Sequence, residues 1–221
     1  YSYNSGWVIS YSGVAIMKPG NGYIIRAPQT FSTTAATIDD KPVFIGVPNN
    51  GEVKMGLAPT TLYLLGNPYP SAINADAFLD LNSSVLEGTL YFWTHNTPPS
   101  TSISGTALYN YTSSDYATYN KTGVVVVAKA ASTGGVAPSG NIAAGQGFFA
   151  PTSSAGGNLV FNNSLRLSAT GTLLNNSQFF KLSTSSKTTS AAAIDKNRIW
   201  LNLTNNQGAF KQTLIGYITG A

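Results

Sequence analysis

Apolar residues in this chain recur in short bursts, at 7–9, 22–25, 43–47, 61–65, 90–94, 123–128, 147–150, 158–161, 198–203 and 213–218, and Gly, Pro, Asn or Ser bound each burst. That rhythm limits the fold more than any other feature. Val, Ile, Tyr, Phe and Thr fill the bursts, and these residues suit a pleated, half-buried strand. Spacing of three to four residues is nearly missing. The chain therefore predicts an all-β architecture, a sandwich, jelly roll or flattened barrel with at most one or two short helices. The helix candidates are Ala75 to Leu81, which Asn74 can cap through its side-chain carbonyl, and 191–195.

Two turn signals stand out. Pro48-Asn49-Asn50-Gly51 lies between extended runs and carries residues that tolerate positive φ, so it predicts a tight hairpin. In Asn67-Pro68-Tyr69-Pro70, each proline holds its predecessor extended and cannot donate to a ladder, which predicts a rigid, ordered exit from the sheet. An internal echo links Gly20-Asn21-Gly22-Tyr23 with Gly145-Gln146-Gly147-Phe148, each a Gly-x-Gly turn launching an aromatic strand that ends at Ala-Pro. A duplicated hairpin explains it, within one β-rich module whose related halves would span about 1–65 and 66–221. The missing initiator Met and the stop straight after a strand-like run lead us to expect a piece of a longer polypeptide.

Chemistry is sparse. With 43% hydrophobic residues and only 9% charged, the chain has material for a core and little for catalysis. Its +4 charge is uneven, since 111–221 holds eight basic and two acidic residues, but the cations are scattered singly and form no track for nucleic acid. No apolar run approaches a membrane span. The absence of Cys removes disulfides, thiolate zinc sites and thiol nucleophiles. Neither Gly-x-Gly continues into a phosphate-binding loop, and His95 is the sole imidazole. Asp76 and Asp80, with Asn82 nearby, are the calcium candidates, but they lack the Asp-x-Asp-x-Asp-Gly order of dedicated loops, so no cofactor is expected. For a glycan hydrolase the candidate acids are Asp115 and Glu87. The aromatics offer more. Trp93, Tyr109, Tyr111, Tyr116 and Tyr119 sit among amides and hydroxyls, a combination suited to stacking on sugars and equally to cross-strand packing.

Several strings resemble a family: Lys18-Pro19-Gly20-Asn21-Gly22-Tyr23, Leu65-Gly66-Asn67-Pro68-Tyr69-Pro70-Ser71, Leu90-Tyr91-Phe92-Trp93, Gly145-Gln146-Gly147-Phe148-Phe149 and Arg198-Ile199-Trp200-Leu201. Together they resemble the large secreted surface proteins of Bacteroidetes, flavobacteria above all, that leave the cell through the type IX secretion system. The resemblance implies a non-enzymatic extracellular module upstream of a C-terminal sorting domain, in proteins described as adhesins or gliding-associated surface proteins. It supplies no catalytic residue. The partners it implies are the remaining domains of the same chain and the type IX outer-membrane machinery, with polysaccharides or surfaces as ligands. The rival expectations are a lectin-like domain, a glycan hydrolase, and a subunit that forms filaments by strand sharing.

Overall fold

The computed structural model describes residues 1–3, 6–25, 45–105, 107–174 and 176–177, together with the backbone of strands 197–204 and 210–217. The fold is all-β. In chain order the strands are β1 (Ser2–Tyr3), β2 (Trp7–Val8), β3 (Val53–Leu57), β4 (Leu62–Gly66), β5 (Ile73–Asn74), β6 (Thr89–Trp93), β7 (Tyr116–Thr122), β8 (Val125–Lys129), β9 (Asn141–Ile142), β10 (Gly147–Pro151), β11 (Gly157–Phe161), β12 (Asn197–Thr204) and β13 (Phe210–Tyr217). The helix α1 (Ala75–Leu81) follows β5 directly, and the Asn74 side chain accepts from the Ala77 N–H at 2.8 Å, as the sequence predicts. Among the described residues no helix is long and apolar enough to cross a membrane. The predicted helix at 191–195 lies outside the described residues.

The chain divides into two units, Tyr1–Leu182 and Ser183–Ala221. In the second, β12 and β13 pair antiparallel from Asn197 opposite Tyr217 to Thr204 opposite Phe210. The first is built on a five-stranded sheet ordered β4-β10-β6-β7-β8, with every neighbouring pair antiparallel. Ribbons β3–β11 and β5–β9, with α1, form a second layer. Strands before residue 66 pair with strands after it, β4 with β10 and β3 with β11, so the two halves suggested by the internal echo are interleaved.

Alternation along the strands sorts the core. Leu65, Ala150, Phe148, Leu90, Phe92, Ala117 and Tyr119 point to the inner face and are buried. They meet α1 and β11 through Phe78, whose ring stands edge-on to Phe148 at 5.6 Å and stacks on Phe161 at 5.0 Å.

The Asn67-Pro68-Tyr69-Pro70 exit is held by a set of hydrogen bonds from both its side chains and its backbone. Buried Asn67 donates from Nδ2 to the carbonyls of Ser71, Ile142 and Ala143 at 2.8–3.1 Å, while its Oδ1 accepts from the Tyr69 N–H. Tyr69 is buried, donates its hydroxyl to the Gly51 carbonyl at 2.6 Å, and lies 5.3 Å beneath the Arg166 guanidinium. Burial pushes its phenol up to about 12, against the pull of Arg166 and with a push from Glu52.

Three sequence expectations need correction. Residues 48–51 do not turn a hairpin. Residues 45–50 form no strand, and β3 takes β11 as its partner instead. Residues 22–25 likewise form no strand, although Asn21 makes a single bridge to Leu65. The echo survives in its turns: Asn21 N donates to the Lys18 carbonyl and Gln146 N to the Ala143 carbonyl, with Gly20 and Gly145 at φ +84° and +67°. Both turns abut β4, one on each side. On the side away from β10 the approach is so close that a Cβ at Gly22 would stand 2.4 Å from the Leu65 carbonyl oxygen. Finally, Tyr116 and Tyr119 belong to β7, a strand the apolar rhythm misses, and not to a Tyr-rich loop.

Candidate functional site

The outer face of the five-stranded sheet carries the aromatic residues that the core does not use. Register sets them side by side: Phe149 faces Leu64 on β4 and Tyr91 on β6, Tyr91 faces Thr118, and Trp93 faces Tyr116 on β7. Adjacent aromatics in a strand must point to opposite faces, so Phe148 enters the core and Phe149 the outer face, and Phe92 separates Tyr91 from Trp93 in the same way.

The β1–β2 hairpin folds over one end of this face. Tyr3 and Trp7 stand edge-on to Phe149 at 5.4 and 6.1 Å and to each other at 5.2 Å, and Tyr116 approaches Phe149 from β7 at 5.9 Å. The hairpin is anchored where the Tyr1 nitrogen donates to the Ile24 carbonyl and the Ile24 N–H returns to that of Tyr1. Between hairpin and sheet lies an open groove of ≈ 590 Å³, floored by Tyr91, Tyr116 and Phe149, walled by Tyr3 and Trp7, and rimmed by Glu87 and Ser113. Trp7 keeps 46% of its surface exposed. Burial raises the Tyr116 phenol, helped by the neighbouring Asp115 carboxylate and Tyr3. Flat rings with wet polar edges and few charges suit the apolar faces of a sugar ring.

Of the five aromatics singled out in the sequence, Trp93 and Tyr116 share this face. Tyr111 caps it, edge-on to Trp93 at 5.2 Å, with His95 lying 4.7 Å from Trp93 and 5.5 Å from Tyr111. Tyr109, two residues before Tyr111 in the same loop, is exposed and makes no ring contact with this face among those described. Tyr119 points the other way into the core, where its hydroxyl donates to Asp76 at 2.8 Å; burial first, then that carboxylate, raises its phenol. Trp7, Tyr3, Tyr91 and Phe149 were missed. For Tyr91 and Phe149 the alternation of Tyr91-Phe92-Trp93 and Phe148-Phe149 was signal enough; for Tyr3 and Trp7 only the hairpin's docking reveals the role.

Of the carboxylates singled out in the sequence, only Glu87 reaches the groove. Asp76 accepts from Tyr119, Asp80 pairs with Lys121, and buried Asn82 joins α1 to β11 through the Phe78 carbonyl and both polar groups of Val160. Among the described residues no three His, Cys, Asp or Glu side chains gather as a metal set. Glu87 is exposed on the groove rim. Asp115 is fully buried and ties three loops together. Its carboxylate accepts from the Thr97 N–H, the Thr97 hydroxyl and the Thr133 hydroxyl at 2.7–2.9 Å, and its carbonyl accepts from Thr94. Burial alone would raise this carboxyl, but the hydrogen bonds, with His95 nearby, outweigh it and hold the group below its usual value. An acid held so low is poorly suited to donate a proton near neutrality.

A pH prediction follows from that geometry. Asp115 is depressed in the folded state, so the stability it contributes is complete above the unfolded carboxylate value of about 3.9 and disappears as pH falls through the lower folded value. Asp115→Asn should cost about 2 kcal/mol at pH 7, because an amide nitrogen would face donors, and the gap from the parent should close below about pH 4. Urea unfolding of both proteins between neutral and acid pH checks this. A pH-independent gap would refute it.

Residues 1–221 match the family described as Domain of unknown function (DUF8693). No curated protein and no solved structure matches the chain.

Proposed function

The chain belongs to the DUF8693 family, and we propose that it is a non-enzymatic extracellular surface module, an adhesin or stalk segment of a type IX secretion substrate, that grips polysaccharide with the aromatic outer face of its sheet. One observation carries this reading: Trp7, Tyr3, Tyr91, Tyr116 and Phe149 converge on a single open groove with little charge around it. Aromatic platforms bind by area and shape, so such a surface works across variable salt. The export route rests on the strings that resemble flavobacterial surface proteins. The lectin-like alternative thus becomes the means by which the adhesin acts, with its site moved from the 109–119 segment to the sheet face.

Retention on immobilised polysaccharides, including cellulose, chitin and bacterial capsule, tests the reading. Trp7→Ala and Tyr116→Ala should each weaken retention by about tenfold or more, since ring truncation at a stacking site costs roughly 1 to 3 kcal/mol. Trp7→Ala should leave the melting temperature within a few degrees, because the ring is half in solvent. A chain that binds none of these materials would leave the stalk role alone.

A further inference from the structure

At one end of the sheet, β8 pairs with β7 and, among the described residues, with nothing else. Residues 123–128 read Gly-Val-Val-Val-Val-Ala, with no charge and no proline. Val124, Val125, Val126 and Val127 are exposed by 96%, 59%, 40% and 43%. Soluble proteins blunt such edges with lysines, prolines or bulges, because a row of outward N–H and C=O groups templates another strand. Apart from Lys129 at its last position, this edge carries no such guard. We propose that β8 is a pairing edge, through which two copies of this chain join their five-stranded sheets into one continuous antiparallel sheet.

The strand itself names its occupant and direction. Its single charge is Lys129 at the far end. Parallel self-pairing would set two Lys129 ammoniums side by side. Antiparallel pairing about Val126 sets Val125–Val127 of the two copies opposite each other, carries each Lys129 to the far side of the other copy's 123–124 turn, and parts the two charges by roughly 20 Å, at about 3.4 Å per residue. A second copy thus meets valine with valine over Val125–Val127. The other end of the sheet is closed: Gly22 N donates to the Leu64 carbonyl at 3.0 Å and Gly66 N to that of Gly20 at 2.9 Å, which occupies β4. Among the described residues this sheet has one open edge, which makes the contact two-fold and self-terminating, so strand sharing through this sheet ends at a dimer and does not grow a filament. The pairing also continues the outer face, placing two aromatic grooves on one surface. That consequence rests on the polysaccharide reading; the dimer does not.

Sedimentation velocity over a roughly hundredfold concentration range tests the dimer directly. The parent chain should move from one chain mass to two and stop there. Val126→Lys and Val126→Glu place like charges opposite each other across the two-fold, so each alone should self-associate about tenfold or more weakly, while an equimolar mixture should regain the dimer. Hydrogen exchange on the unmutated chain needs no variant: the amides of 124–128 should slow as concentration rises. A parent that stays monomeric, a mass that climbs beyond two chains, a folded mixture that does not associate, or exchange that ignores concentration would each overturn the proposal. Loss of polysaccharide retention with the dimer intact would instead indict the groove.

Discussion

Phe148→Ala is expected to lower the stability of the first unit by about 4 kcal/mol, the upper range for deleting a fully buried ring. Phe148 is 1% exposed and touches Phe78 edge-on and Phe92 at 5.9 Å, so its removal opens a void between sheet and helix that no flexible neighbour fills. For a unit of this size that predicts a fall in melting temperature of roughly 10 °C. The adjacent Phe149→Ala makes the contrast. Its ring faces the groove and the β1–β2 hairpin, so we expect a smaller stability loss together with lost polysaccharide retention. Equal melting shifts for the two variants, measured by calorimetry, would show that the outer-face rings are core in all but position.

The second large effect is expected from Asn67→Ala, at about 3 kcal/mol. Truncation takes the amide donor from the Ser71 and Ile142 carbonyls and the amide acceptor from the Tyr69 N–H in a site that water does not reach freely, while the Ala143 carbonyl keeps the Gln146 N–H, and each unmet group costs on the order of 1 kcal/mol. Asn67→Asp should be at least as harmful, because a carboxylate would face three carbonyl oxygens. Urea unfolding measures both. A loss below about 1 kcal/mol for Asn67→Ala would mean that water replaces the amide.

These two variants also show how much of the most recognisable strings in the chain serves packing. Gly66-Asn67-Pro68-Tyr69-Pro70-Ser71 is a knot of hydrogen bonds joining β4, the 48–51 loop and the β9 region, and Gly147-Phe148-Phe149 is a strand that serves the core with one ring and the groove with the next. Their specificity as sequence comes from packing. Helix α1 was legible to the residue because its cap and its termini are local. β7 was not, because Tyr116-Ala117-Thr118-Tyr119-Asn120 mixes polar and aromatic side chains that become a strand only when β6 and β8 flank them. The 22–25 run failed for the opposite reason: its residues are strand-like, but after the single Asn21 bridge to Leu65 the Ile24 backbone pairs with Tyr1 and not with β4.

By itself, the two-residue period of the apolar pattern determined that this chain is built of strands and that adjacent aromatics face opposite ways, because side-chain direction along a strand alternates without reference to any neighbour. Which strands lie together, and therefore which outward rings share one groove and which edge stays open, was decided only by the tertiary structure. Pairing β4 with β10 and β6 with both β10 and β7 brings together segments far apart in the chain, and that choice depends on the burial of Phe78, Phe148 and Phe92 between two layers.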